Sequence, residues 1–242
     1  MRVLVLTDIH SNLTALETVL EDAGNVDAVW CLGDVVGYGP YPNECITLLS
    51  EQPKIICLLG NHDAAAINML DISTFNLEAR KSVEWTHNRL TQESTAFLQE
   101  RPKVSIQGNV TLAHGSPRHP VFEYILDTRA ATENFTHFDT DFCFIGHTHL
   151  PVMFYIENNQ YMSRLSIPPV NKVTELKPRV IVNPGSVGQP RDRDPRAAFA
   201  IFETEANTWE YRRVEYDIDK VQQDMRKYEL PERHIIRLES GW

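Results

Sequence analysis

The sequence predicts an α/β protein, α+β in its second half, with two packed β-sheets and helices outside them. Three observations carry that prediction. Short apolar runs alternate with helical periodicities over the first 63 residues. Residues 151–215 read mostly as strands. The strands of both halves are very apolar, so each sheet needs a covered face.

The elements follow in order. "RVLVL" (2–6) is short and β-branched, a first buried strand. Residues 12–24 place Leu13, Leu16, Val19, Leu20 and Ala23 at helical spacing, and Gly24 suits the position just past the helix end. "DAVWCL" (27–32) is a second strand. A helix over 42–51 follows, with Pro42 in its first turn. "KIICLL" (54–59) is a third strand, and this alternation implies parallel pairing through right-handed crossovers. Residues 76–90 and 91–100 are amphipathic helices, which make 64–100 a helical insert. Residues 103–115 read as a hairpin turning at Gly108-Asn109, then come a helix near 129–137 and the strand 141–146. Strands are expected at "VMFYI", "YMSRLS", "VIVN", "AAFAIFE" and "TWEYRRVEY". Two short helices close the chain over 217–239, Pro231 opening the second.

A length of 242 residues with 42% hydrophobic content supports one substantial core, and no linker-like tract divides it, so 1–242 is read as a single domain. The apolar runs are far shorter than the ~20 residues of a membrane span, and the four apolar residues before Thr7-Asp8 do not resemble a signal peptide. Cys31, Cys45, Cys57 and Cys143 show no CxxC spacing, and three lie in apolar runs. Reduced core thiols and a cytoplasmic location are expected. A net charge of -10 disfavours a stable nucleic-acid complex, and no membrane partner is expected.

Five apolar strands run straight into polar clusters: Thr7-Asp8-Ile9-His10, Gly33-Asp34, Gly60-Asn61-His62-Asp63, His114-Gly115 and Gly146-His147-Thr148-His149. In α/β sheets ligands gather beyond the carboxyl ends of strands. Asp8, His10, Asp34, Asn61, His114, His147 and His149 form a mixed nitrogen and oxygen donor set without thiolates. That set suits Mn, Fe, Zn, Co or Ni. It exceeds the needs of one tetrahedral ion and fits two ions ~3.5–4 Å apart sharing a carboxylate.

"DIH", "GDVVGYG", "GNHD", "HG" and "GHTH" resemble the five ordered motifs of the calcineurin-like metallophosphoesterases. "NPGSVGQPR" (183–191) resembles a further block of the small prokaryotic phosphodiesterase and phosphatase branch. The resemblance implies a four-layer αββα sandwich of two mixed sheets. It implies two divalent metal ions, manganese favoured. Asp8, His10 and His149 would hold one, Asn61, His114 and His147 the other, and Asp34 would bridge them. It implies hydrolysis of phosphomonoesters or phosphodiesters by a metal-activated hydroxide, with catalytic His62 acting at the leaving oxygen and Asp63 orienting His62. The substrate would be a small phosphorylated molecule, a nucleotide among the candidates. A homodimer is the expected oligomer.

Tyr38 stands where the protein-phosphatase branch has a phosphate-gripping arginine, which argues against that activity. Positive charge could come instead from Arg118, Arg191, Arg193 or Arg196, and Asn12 and Tyr38 are further substrate-contact candidates, Asn12 equally an N-cap. Alternative readings are a diadenosine-tetraphosphate type of hydrolase, a serine/threonine phosphatase, and a binding scaffold with a decayed site, although no ligand is missing. His87, His137 and His234 are expected on the surface or at caps, His119 in a solvated loop, and Trp30 and Trp85 in the core.

Overall fold

The computed structural model describes residues 1–157 and 160–242. The chain runs β1 (Arg2–Leu6), α1 (Leu13–Ala23), β2 (Ala28–Cys31), α2 (Pro42–Ser50), β3 (Ile56–Cys57), α3 (Asn61–Ala66), a 3₁₀ turn (Ile72–Thr74), α4 (Leu77–His87) and α5 (Gln92–Gln99). It continues through β4 (Val104–Gln107), β5 (Val110–Ala113), α6 (Thr128–Asn134), β6 (Phe142–Phe144), β7 (Pro151–Tyr155), β8 (Arg164–Ser166) and β9 (Lys172–Glu175). β10 (Val180–Pro184), β11 (Ala197–Glu203), β12 (Thr208–Val214), α7 (Ile218–Lys227) and α8 (Glu232–Ser240) complete it.

Two six-stranded mixed sheets result, in the orders β3-β2-β1-β11-β12-β9 and β4-β5-β6-β10-β7-β8. The strands that carry the polar clusters are parallel neighbours: β1 with β2, β2 with β3, and β5 with β6. Parallel alignment puts their carboxyl ends on one side of each sheet.

Side-chain alternation assigns each face. On β1, Val3 and Val5 join Phe142, Phe144, Val180 and Val182 of the other sheet in the central core. Leu4 and Leu6 face the opposite way and pack with Leu16 and Val19 of α1 and with Ile46 and Leu49 of α2. The outer face of the second sheet packs Cys143, Val152 and Ile181 against Ala131 of α6. The layers are helix, sheet, sheet, helix. Each fully buried Val, Leu or Phe contributes ~1.5–3 kcal/mol, so the central seam holds the two halves of the site together.

Several expectations change. The strand expected over 54–59 pairs with β2 only at Ile56 and Cys57; beyond it the Leu59 N–H donates to the Pro102 carbonyl as the chain turns toward the site. The strand expected over 161–166 is formed only at Arg164–Ser166. β9 was invisible in the sequence because its side chains are largely exposed; its place is set by pairing with β12. α3 was also missed, because "NHDAAA" is too short to show an amphipathic period. All four cysteines are buried free thiols. Among the described residues no helix is long and apolar enough to cross a membrane. His234 corrects another expectation: it is buried on α8, its ring centroid 4.3 Å from that of Tyr38. Helices α7 and α8 pack Val221, Met225, Ile235 and Leu238 together beside Trp85 of α4.

Candidate metal centre

The loops beyond β1 and β2 are laced together before any ligand is considered. The N–H groups of Asp8, His10 and Ser11 donate to the carbonyls of Gly33, Asp34 and Val35. Asp8, His10, Asp34, His147 and His149 all have φ between 50° and 65°. This left-handed region costs a non-glycine residue of order 1–3 kcal/mol. Five such residues on converging loops are held there by the packed sheets beneath them.

Two glycines are required by proximity. A Cβ on Gly60 would lie 2.3 Å from the Asp34 backbone nitrogen and 2.1 Å from its Oδ1. A Cβ on Gly146 would lie 2.1 Å from Thr7 Oγ1 and 3.0 Å from Asp8 Oδ2.

The structure brings Asp8, His10, Asp34, His114, His147 and His149 into one buried cluster, and Asn61 joins it through His114. Asp8 Oδ2 accepts hydrogen bonds from Thr7 Oγ1 at 2.9 Å and the His147 N–H at 3.0 Å. Its Oδ1 has no hydrogen-bond partner and faces His149 Nε2 at 3.2 Å and His10 Nε2 at 3.8 Å. Asp34 Oδ1 accepts the His62 N–H at 2.9 Å. Its Oδ2 is unpartnered and lies between His10 Nε2 at 3.6 Å and His114 Nε2 at 3.4 Å. Asn61 Oδ1 stands 3.1 Å from His114 Nε2.

The histidine tautomers follow from the surroundings. The Nδ1 atoms of His10, His114 and His149 meet the carbonyls of Val36 (3.1 Å), Leu32 (3.0 Å) and Gln189 (2.6 Å). A carbonyl only accepts, so each Nδ1 carries a proton and each Nε2 points inward, with a lone pair on the neutral rings of His10 and His149 and with a second proton on His114 until a cation displaces it. His147 is reversed: its Nε2 meets the Phe122 carbonyl at 3.2 Å, which leaves Nδ1 bare. Its ring stacks on Tyr124 at 3.8 Å.

These donors fit divalent cations. Buried carboxylate oxygens without partners, facing imidazole lone pairs, are repulsive unless a positive charge lies among them. Burial lowers the basicity of His10, His149 and His147, the last to about 3, so none supplies that charge as an imidazolium. Burial raises Asp8 to about 7. Burial also opposes ionisation of Asp34, but the positive charge of His114 overcomes it and holds Asp34 well below the usual carboxylate range. Without metal, His114 is the counter-ion, lifted to about 9 by Asp34 against the opposing effect of burial.

His62 joins His10 and Asp34 in a group whose donor atoms lie within 4.8 Å of one another, its ring centroid 4.9 Å from that of His10 and 4.4 Å from that of Tyr38. Burial lowers it to about 4, so it is neutral. Asp63 does not orient it, contrary to expectation. Its two oxygens accept the N–H groups of Val36 and Gly60, each at 3.0 Å, while His62 Nδ1 has no partner. Asp63 therefore ties the second motif to the third.

The remaining candidates separate. Asn12 is the N-cap of α1, accepting from the Ala15 N–H at 3.1 Å and donating to the Gly188 carbonyl at 3.0 Å. Tyr38 lines a cleft of ≈ 230 Å³ with His62, Asn61, His147, Phe75 and Tyr124. Arg118 is engaged by Glu123 and Glu133, and Arg196 by Asp194. Arg193 lies over the Trp242 ring. Arg191 lies over Tyr38, 5.9 Å from the ring centroid. His119 is exposed and His87 and His137 are on the surface.

The sequence did not reveal what the glycine-rich block does. Ser186 Oγ donates to the Asp8 carbonyl at 2.8 Å and accepts the Gln189 N–H at 2.9 Å. Asn183 Nδ2 donates to the Gly146 carbonyl at 2.7 Å and to Thr148 Oγ1 at 3.0 Å. This block splints the first and last ligand loops together. Its polar composition was the only available signal.

Comparison with known proteins identifies the family and the fold. Residues 1–207 match the model of the calcineurin-like phosphoesterase superfamily domain. The crystal structure of a metallophosphoesterase from Sphaerobacter thermophilus is 45% identical, with a TM-score of 0.90 over 100% of this chain and 99% of that one. An uncharacterised protein of Methanocaldococcus jannaschii is 35% identical over 94% of this chain and 93% of its own length. A hypothetical protein from Pyrococcus horikoshii shares the fold at 22% identity, with a TM-score of 0.81 over 100% of this chain and 98% of that one.

Proposed function

The chain belongs to the calcineurin-like phosphoesterase superfamily, and on that premise we propose that it hydrolyses phosphate esters at a centre of two divalent cations. The observation that carries this reading is the pair of buried oxygens, Asp8 Oδ1 facing the inward nitrogens of His149 and His10 and Asp34 Oδ2 lying between His10 and His114, with donor atoms of seven side chains gathered around them. Asp8, His10 and His149 would hold one cation. Asn61, His114 and His147 would hold the other, with Asp34 reaching both. Bound divalent cations supply Lewis acidity, making a water nucleophilic near neutral pH and offsetting charge on the phosphoryl oxygens.

The chain's own groups do the positioning. Backbone carbonyls fix the His10, His114 and His149 rings with Nε2 inward. The Phe122 carbonyl and the Tyr124 ring fix His147. His62 lines the cleft and burial keeps its imidazole neutral, which supports a role in hydrogen-bonding the departing oxygen rather than as a strong acid. Phe75, Phe122 and Tyr124 would give the leaving group aromatic contacts in a cleft otherwise lined by polar residues such as Asn61, Asn76 and His147. A cytoplasmic setting suits the four free thiols.

The test is a metal count combined with an activity panel. Purified protein is expected to take up two equivalents of manganese and to hydrolyse p-nitrophenyl phosphate or bis(p-nitrophenyl) phosphate. A chelator is expected to abolish turnover and added manganese to restore it. Turnover that survives metal removal would overturn the reading.

A further inference from the structure

The C-terminal helix α8 carries a group that the metal cluster does not account for. Arg237 Nη1 donates to Gln189 Oε1 at 3.2 Å, and Arg191 Nη2 donates to the same oxygen at 2.8 Å. Two guanidinium groups thus converge on one neutral amide. The acids nearby are taken: Asp194 and Asp192 serve Arg196 and Arg213. Among the described residues neither Arg191 nor Arg237 has a carboxylate within salt-bridge distance. Arg191 Nε and Gln189 Nε2 are buried without hydrogen-bond partners. Burial and the like charge of Arg191 lower the pKa of Arg237 below the usual arginine range, a mark of missing negative charge.

This pair borders the metal cluster. The Gln189 carbonyl accepts from His149 Nδ1. Arg191 lies over Tyr38, whose ring centroid is 4.6 Å from that of His10. Packing of Leu238 and Met225 beside Tyr38, Gly39 and Gln189 holds α8 in place.

We propose that Arg191 and Arg237 form a two-guanidinium clamp for a phosphoryl group, and that the clamp selects phosphomonoester dianions over phosphodiesters. The proposal rests on the reading of this site as a phosphoesterase. A diester phosphoryl group carries one negative charge over two terminal oxygens, and a cationic metal centre satisfies both. A monoester adds a third terminal oxygen and a second charge. Guanidinium forks bind such oxygens with short, charge-assisted hydrogen bonds. Gln189 holds the two forks side by side on one oxygen and supplies no charge to compete with the ligand.

The experiment uses the manganese-loaded full chain with Arg237→Gln, Arg191→Gln, Arg237→Lys and Gln189→Glu. The last variant keeps both arginines and places a carboxylate between them. Inorganic phosphate affinity is read by calorimetry, and kcat/KM is read with p-nitrophenyl phosphate and bis(p-nitrophenyl) phosphate. Arg237→Gln, Arg191→Gln and Gln189→Glu are each expected to weaken phosphate binding about tenfold or more. The monoester kcat/KM should fall about tenfold further than the diester value, and Arg237→Lys should recover part of the loss. Phosphate affinity within about twofold of the parent in all three variants, or equal losses on both esters, overturns the clamp. Phosphate binding that depends on the arginines, in a protein that hydrolyses neither ester, would leave the clamp standing and remove the hydrolase reading instead.

Discussion

His10 and His149 bring their Nε2 atoms to 3.2 Å, and neither nitrogen has a proton to offer the other. Both Nδ1 atoms are committed to carbonyls, and burial keeps both rings neutral. The stacked rings, 4.9 Å between centroids, direct two lone pairs at the space beside Asp8 Oδ1. A cation makes that arrangement favourable, and without one the proton that burial keeps on Asp8 up to about 7 takes its place.

Asp34→Ala is expected to lose metal and activity together, since its Oδ2 reaches toward both His10 and His114. His62→Ala is expected to retain metal while kcat falls by about 10²–10⁴-fold. Metal analysis beside steady-state kinetics checks the pair. An emptied site in His62→Ala would place His62 among the ligands.

Metal affinity should rise with pH. Metal-free Asp8 keeps a proton up to about 7 and His114 up to about 9, and an incoming cation must displace both. Affinity is therefore lost as pH falls. The logarithm of the apparent constant should climb by about two per pH unit below pH 7 and about one between pH 7 and 9. Manganese titrations in a chelator buffer read the slope, and a flat profile contradicts the protonation scheme.

The metal-free fold has its own pH dependence. The folded pKa of His114 lies above its ordinary value of 6.5, so its stabilising effect is complete below about 6.5 and is lost as pH rises through about 9. Chelated protein should lose thermal stability across that window, and added manganese should raise Tm most at its upper end. Scanning calorimetry at pH 6 and pH 9 makes the comparison.

Gly60→Ala pushes a methyl group against the Asp34 backbone nitrogen. Backbone cannot swing aside as a flexible side chain can. A loss of ~1–3 kcal/mol is expected, with Tm falling by about 2–4 °C per kcal/mol and metal affinity falling with it.

Ser186→Ala removes one donor to the Asp8 carbonyl and leaves the Gln189 N–H without its acceptor. The expected cost is ~1–3 kcal/mol of stability and about 10–100-fold in metal affinity. Denaturant melts and metal titration read both effects. An unchanged metal constant would show that the block does not position Asp8.

The legible part of this protein lay in patterns local to the chain. Apolar runs followed by Asp, His or Asn marked the strand ends, and parallel alternation said that such ends gather on one side. That was enough to single out Asp8, His10, Asp34, Asn61, His114, His147 and His149, which the fold brings together. Short or exposed elements such as α3 and β9 were not legible, because neither shows a periodic apolar face.

Side-chain roles needed three dimensions. Asp63 turned to the N–H groups of Val36 and Gly60, and Arg118 to Glu123 and Glu133, because folding brought complementary groups of the chain within hydrogen-bond and ion-pair reach. The tautomer of each histidine was decided by a carbonyl 25 to 82 residues distant in sequence. The meeting of Arg191 with Arg237 depends on where α8 docks. Residue types and their spacing could name the ligands, because metal chemistry constrains which side chains are useful. Partners depend on which distant segments the packed core brings within ~3 Å, and no local pattern encodes that.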